Sequence, residues 1–152
     1  MKNHIVSFSG GRTSAYMVWL FEQKRMREDI NVEFVYCDTG AEHENTYSFI
    51  RDVVKHYGIK LTCLRCVVNP EKGIGTTYKV VPLEECQPDL KPFQDMILKY
   101  GNPSFVAPLC TREMKSTPSD KYCNEKYGHG NYVKWLGIRV DEPNRIKVVE
   151  DQ

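Results

Sequence analysis

The chain has 152 residues, 41% hydrophobic and 27% charged, with a formal net charge of +1. That length and composition suit one domain, residues 1–152, with a sizeable core, and the near-zero charge excludes bulk electrostatic attraction to nucleic acid or to a membrane surface. No apolar run approaches the roughly 20 residues of a membrane span, and a polar loop cuts short any secretory apolar segment at the N-terminus, so a cytosolic protein is expected.

His4-Ile5-Val6 reads as a short first strand, and it runs into Ser7-Phe8-Ser9-Gly10-Gly11-Arg12-Thr13-Ser14. Adjacent glycines let backbone approach an anion without a Cβ between them, and Ser9, Thr13 and Ser14 add hydroxyls beside the first free N–H groups of the helix that follows. The loop reads as a phosphate cradle. It lacks the Gly-Lys-Ser/Thr ending of a Walker loop and the spacing of a dinucleotide fingerprint. The helix is apolar from Ala15 to Phe21 and charged by Arg27.

Val32–Cys37 reads as the second strand and ends in Asp38-Thr39-Gly40, which puts a carboxylate and a hydroxyl at the strand edge where open α/β sheets bind ligands. Tyr47, Ile50, Val54 and Tyr57 recur at helical spacing over 44–57, with Gly58 as the stop, and 59–68 reads as a third strand. The β-α-β-α-β order predicts an α/β fold with a mostly parallel sheet and right-handed crossovers. From Glu71 to Pro92 no period is sustained, and Lys72–Tyr78 reads as a loop that folds over a ligand. Phe93–Tyr100 is expected as a short helix, Thr111–Tyr127 as a helical segment broken near Pro118, and Tyr132–Ile138 as the last strand.

The six cysteines (Cys37, Cys63, Cys66, Cys86, Cys110, Cys123) are expected as thiols in a reducing compartment. Cys63 and Cys66 lie three apart in a predicted strand, so they point to opposite faces and cannot chelate together. Among the histidines, His43 and His129 fall in predicted loops near strand ends, where they would reach a ligand, and His4 and His56 are expected to be structural. Tyr78, Phe105 and Trp135 are expected as anchors of core or loop.

Four stretches carry a resemblance. Ser9-Gly10-Gly11 with Ser14 is similar to the pyrophosphate-binding loop of the adenine nucleotide α-hydrolase superfamily. Asp38-Thr39-Gly40 with Glu42 and Thr46, Cys110-x-Arg112-x-x-Lys115-x-x-Pro118, and Gly137-x-Arg139-x-Asp141-Glu142-x-x-Arg145 resemble, in order, segments of the 3'-phosphoadenosine-5'-phosphosulfate (PAPS) reductase family, especially its short phage members. The resemblance implies a Rossmann-like three-layer sandwich that holds ATP or PAPS, with Ser7, Ser9, Gly10, Gly11, Arg12, Thr13, Ser14, Asp38, Thr39, Gly40 and Gly137 around the nucleotide.

Arg112, Lys115, Arg139 and Arg145 would supply cations to phosphate or sulfate oxygens, and Asp38, Asp141 and Glu142 would hold magnesium. Thr13 stands where pyrophosphatase-type members have Asp. The paired cysteines that flank an iron–sulfur cluster in one branch are missing around Cys110, and no tail cysteine precedes Gln152, so neither a cluster nor thiol-based reduction is expected. The sequence therefore reads as an enzyme acting at a nucleotide α-phosphate. A thiol-dependent reductase and a non-catalytic subunit of a larger assembly, one acting on nucleic acid included, are the alternatives. The partner expected is an adenine nucleotide, with a homodimer or partner subunit also compatible.

Overall fold

The computed structural model describes residues 2–104, 106 and 108–142. β1 (Asn3–Ser7) lies inside a sheet of order β4-β3-β2-β1-β5. It pairs in parallel with β2 (Asn31–Asp38) on one side and with β5 (Tyr132–Trp135) on the other. β3 (Leu61–Val67) continues the parallel set beside β2, and β4 (Thr77–Val81) closes that edge antiparallel to β3.

Successive strand residues point to opposite faces, so each strand feeds two cores. Val6, Phe34, Tyr36 and Cys63 face α1 (Arg12–Arg27) and α2 (Glu44–Tyr57), burying Val18, Tyr47 and Ile50 against the sheet. Ile5, Val35 and Leu64 face the opposite layer and meet Tyr122 and Cys123 of α5 (Thr117–Tyr127). Cys66 joins Met96 of α3 (Lys91–Tyr100), Leu109 of α4 (Leu109–Thr111) and Met114 on that side. The result is the expected three-layer α/β sandwich.

α2 has the predicted bounds and stops where Gly58 takes a left-handed φ of 63° and returns its N–H to the Val54 carbonyl. No helix among the described residues is long and apolar enough to cross a membrane. Three expectations change. The 71–92 stretch contains β4 and a 3-10 turn at Leu83–Glu85, so Thr77 and Tyr78 belong to an edge strand rather than to a loop over a ligand. The last strand ends at Trp135. Pro118 breaks nothing, because the chain passes from α4 through a π-helical turn at Arg112–Ser116 into α5, and Pro118 falls in the first turn of α5. A proline there needs no N–H donor.

Glu33 ties α5 to the sheet. Its carboxylate accepts from Thr62 at 2.7 Å, Tyr122 at 2.5 Å, Lys126 at 2.9 Å, and Tyr127. Burial alone would raise this carboxyl, but the hydrogen bonds outweigh it and hold Glu33 below its ordinary value of 4.5. A carboxyl with a depressed native pKa contributes stability above its unfolded value that is lost as pH falls through the native one. In urea titrations across acid pH, Glu33→Gln is expected to flatten this part of the pH dependence. Unchanged curvature would show that Glu33 gains nothing from its donors.

Candidate functional site

Leaving β1, the chain adds β2 and β3 on one side, then returns to place β5 on the other. The strand order therefore switches direction between β1 and β5, and the crevice beyond the carboxyl ends at such a switch is where open α/β sheets bind ligands. The Ser9–Ser14 loop leaves β1 there, and Gly137–Glu142 leaves β5 there.

Ser14 shapes the loop. It is 3% exposed. Its hydroxyl donates to the Gly11 carbonyl at 3.1 Å and accepts from the Ser9 N–H at 3.1 Å. With its one proton committed, its 2.9 Å contact with Ser9 Oγ has Ser9 as the donor. The two glycines serve different needs. Gly10 has φ +82°, and a Cβ on it would meet Thr46 Cγ2 at 2.7 Å and Ile50 Cδ1 at 3.1 Å. Its missing side chain is therefore demanded by α2, which corrects the expectation that both glycines clear a path for an anion. Gly11 has an ordinary φ of −99°, and the nearest atom to a Cβ there is Ser9 Oγ at 3.7 Å. Only Gly11 is bare toward open space.

Gly11 is also the N-cap of α1. No side chain caps this helix, and no acidic residue occupies its first turn. Neither its cap nor its own first turn supplies an anion to its leading N–H groups and the positive end of the helix dipole. They border a cleft of about 490 Å³ lined by Ser9, Gly11, Arg12, Thr13, Ser14, Gly137, Arg139 and Glu142. Gly137 brings the β5 exit against this turn, since a Cβ there would lie 3.4 Å from the Ser14 N and Cα. Beyond it, the Glu142 N–H donates to the Arg139 carbonyl at 3.0 Å and the Arg139 N–H to Glu142 Oε2 at 3.3 Å. Arg139 also holds Asp141 through Nε at 2.9 Å and through Nη2, which keeps the Asp141 carboxyl below the usual range.

Ser7 and Lys115 belong to a neighbouring chamber of about 50 Å³, with Phe8, Ser9, Tyr36, Cys37 and Glu42. Lys115 Nζ stands 3.6 Å from Glu42 Oε1, and burial pushes the Cys37 thiol there up to about 12. Because Ser9 borders both spaces, Lys115 sits beside the loop, though it does not line the larger cleft.

The remaining predicted residues are placed elsewhere. Arg112 donates from Nε to Glu113 at 2.7 Å, and Glu113 is held in turn by Thr76 Oγ1 at 2.8 Å, so this cation is engaged outside the cleft. Arg145 and Phe105 lie outside the described residues. Asp38 turns inward and is fully buried. Its Oδ1 accepts from the Gly40 N–H at 3.0 Å and from Tyr47 Oη at 2.8 Å, and its Oδ2 lies 3.8 Å from Arg65 Nε. Burial raises the Asp38 carboxyl in spite of these partners. Thr39 is buried, its hydroxyl accepting from the Ala41 N–H at 3.2 Å, and Gly40 packs so tightly that a Cβ would meet Asp89 Oδ1 at 2.8 Å.

Asp38-Thr39-Gly40 is therefore a buried turn and lines no part of the cleft. Among the described residues no three His, Cys, Asp or Glu side chains group to hold a metal, so Asp38, Asp141 and Glu142 do not assemble as expected. Glu142 alone reaches the cleft. His43 caps α2, its Nδ1 accepting from the Asn45 N–H at 3.1 Å. Trp135 donates to His4 Nδ1 at 3.0 Å, and Tyr78 packs edge-on against Tyr122, both as anchors. Cys63 and Cys66 enter opposite cores.

Arg65 is the residue missed. Only 9% exposed, it opposes Asp38 in the β2–β3 register and bridges Asp38 to Asp89. The signal was a lone cation inside an otherwise apolar strand, which requires a buried acid as partner.

The family model for the phosphoadenosine phosphosulfate reductase domain matches residues 3–147. The chain belongs to this family. It is 50% identical over 147 residues to an uncharacterized nin region protein of Escherichia phage lambda, covering 95% of this chain and 50% of that one. Similarity extends to an uncharacterized protein of Methanocaldococcus jannaschii, 30% identical over 138 residues and covering 91% and 23%. It also extends to an uncharacterized 37.8 kDa protein of Escherichia phage 186, 27% identical over 166 residues and covering 91% and 48%. The chain spans about half the length of the two phage relatives. No solved structure matches. Membership in the PAPS reductase family makes this a domain of a nucleotide-related enzyme family, with residues 3–147 carrying all four motif stretches.

Proposed function

We propose that the cleft at the β1–β5 switch binds the phosphates of an adenine nucleotide, ATP in the first instance, and that an oxygen nucleophile, water or an acceptor hydroxyl or carboxylate, bonds to the α-phosphorus as pyrophosphate leaves, giving AMP or an adenylylated acceptor. The observation that carries this reading is the uncapped, acid-free start of α1, set behind a Ser14-closed loop and open to a cleft of about 490 Å³. That volume suits a ligand of nucleotide size. Gly11 and the leading N–H groups of α1 receive the phosphate oxygens, and Arg139 exchanges part of its Asp141 contact for them. Fixed dipoles and a guanidinium aimed at oxygens where charge develops stabilise the transition state without reorganising. Magnesium fits as a partner of the ligand, because it needs only one or two carboxylates besides phosphate oxygens, and Glu142 supplies such an oxygen in the cleft. When bound, it would neutralise charge on the leaving phosphates.

Incubation with ATP, and separately with PAPS plus a dithiol, tests this by measuring AMP and pyrophosphate against sulfite. AMP and pyrophosphate from ATP are expected, undiminished by Cys110→Ser, since Cys110 packs against the Met96–Met114 cluster and lines no part of the cleft. Sulfite release that disappears in Cys110→Ser would establish the thiol-dependent reductase instead. Binding without turnover of either nucleotide would make the domain a nucleotide-binding subunit. Arg139→Ala removes a charge-assisted contact to the phosphate oxygens and is expected to weaken calorimetric ATP affinity by about tenfold. A lowered melting temperature with unchanged affinity would make Arg139 a structural partner of Asp141.

A further inference from the structure

One face of α1 packs on the sheet, and a second face, turned away from it, exposes aromatic rings between cations. Arg12, Tyr16, Trp19, Gln23 and Arg27 follow one another at steps of four, three, four and four residues, which aligns them in a single stripe along the helix. The stripe lies away from Ala15, Val18 and Glu22, which face inward. Tyr16 is 60% exposed and Trp19 39%, with Leu20 and Met26 beside them also exposed. The Tyr16 and Trp19 rings stack, with centroids 5.7 Å apart and planes 17° from parallel. Tyr16 in particular forgoes the burial that usually holds such side chains.

Charge on this helix is one-sided although the chain is nearly neutral. Its cations are Arg12, Lys24, Arg25 and Arg27, and its one acid, Glu22, is 4% exposed and gripped by Arg25. Lys24 pairs with Glu28 just beyond the helix, and Arg12 and Arg27 form no ion pair among the described residues. The stripe thus carries two stacked aromatic rings between cations at its two ends. At about 1.5 Å per residue the rings lie some 6 to 10 Å from Arg12 along the axis, a spacing of one to two nucleotides of extended strand.

We propose that this stripe binds single-stranded nucleic acid, its bases stacking on Tyr16 and Trp19 and its phosphates meeting Arg12 and Arg27. Stacked aromatics between cations are how proteins hold single strands without reading sequence. A duplex hides the base faces that such rings would stack on. Because Arg12 also lines the cleft, a strand on the stripe has one end at the mouth of the Ser9–Ser14 loop. The surface stands independently of the nucleotide reading, since strand binding is measured with no mononucleotide present.

Fluorescence anisotropy of labelled oligodeoxythymidine and oligouridine of about 15 nucleotides, against a duplex of equal length, tests the proposal at about 50 mM salt and above. One or both single strands are expected to bind more tightly than the duplex, and to weaken as salt rises. Tyr16→Leu with Trp19→Leu should lower that affinity about tenfold or more while helicity and melting temperature hold. Trp19→Phe, which keeps a ring, should retain most of it. Equal affinity for duplex, or an unaffected double leucine variant, would overturn the proposal. A sedimentation coefficient that falls from dimer to monomer in the double leucine variant, with no strand binding by the parent, would overturn it in favour of a second copy of the chain on this face.

Discussion

Gly11→Val is expected to abolish most nucleotide binding in a protein that still folds, and Gly10→Val to fold poorly or not at all. Both residues lie in one loop and lack a side chain, but their surroundings differ. At Gly10 the left-handed φ of +82° costs an L-residue about 1 to 2 kcal/mol. A Cβ 2.7 Å from Thr46 Cγ2 also has to displace α2, and overpacking of that kind costs roughly 1 to 3 kcal/mol. The sum is a large part of the total stability of a domain this size, about 5 to 15 kcal/mol. At Gly11 the backbone is ordinary and an added Cβ has Ser9 Oγ, at 3.7 Å, as its nearest atom beyond its chain neighbours. It stands instead in the path of an anion approaching the start of α1, with an expected loss of roughly ten- to a hundredfold in affinity. Thermal melts paired with calorimetry separate the two effects. Parental ATP affinity in Gly11→Val would remove the loop from the binding site.

The second large effect is expected at Arg65. Arg65→Met leaves the Asp38 carboxylate fully buried without its cation, and breaking a buried pair in this way costs about 3 to 5 kcal/mol. The sign of the pH dependence follows from Asp38. Burial holds its native pKa above the ordinary value of 3.8, and Arg65 pulls the other way. Removing Arg65 therefore raises the native pKa further. Between the unfolded and native values the native state binds more protons, so stability falls as pH rises through that window. Arg65→Met is accordingly expected to be hurt least in acid and most at neutral pH, and Arg65→Met/Asp38→Asn to recover part of the loss. A loss independent of pH would assign the cost to packing of the guanidinium, not to the stranded carboxylate.

Elements with a strong period and clear stops were legible from residues alone. α2 could be bounded because Tyr47, Ile50, Val54 and Tyr57 mark one face and Gly58 ends it. β4 was not legible, because an edge strand has only one paired side and Thr77–Val81 buries Val81 while exposing Lys79 and Val80, leaving no alternation to detect. Pro118 misled because proline disfavours helix interiors, whereas the preceding π turn shifts the frame so that it falls in a first turn.

At the site, residues of the first and last motif stretches, Ser9, Gly11, Arg12, Thr13, Ser14, Gly137, Arg139 and Glu142, line one cleft. Spacing carries no information about which way a strand-end side chain turns. Asp38 shares the face of Tyr36 and Phe34, so it points under α2 toward Tyr47 and Arg65 and away from the ligand edge. Likewise nothing in Cys110–Lys115 announces that Arg112 is held by the adjacent Glu113, an acid that a buried Thr76 recruits from 37 residues away.

If the uncapped N–H groups at the start of α1 receive phosphate, the backbone amide resonances of ¹⁵N-labelled protein move there first as ATP is added. The largest shifts are expected at Gly11, Arg12 and Thr13, with smaller ones at Gly137 and Arg139. Shifts confined to the cleft along α3, where Lys91, Asp95 and Lys99 line a separate space of about 340 Å³, would contradict the account, as would a spectrum unmoved by ATP or PAPS.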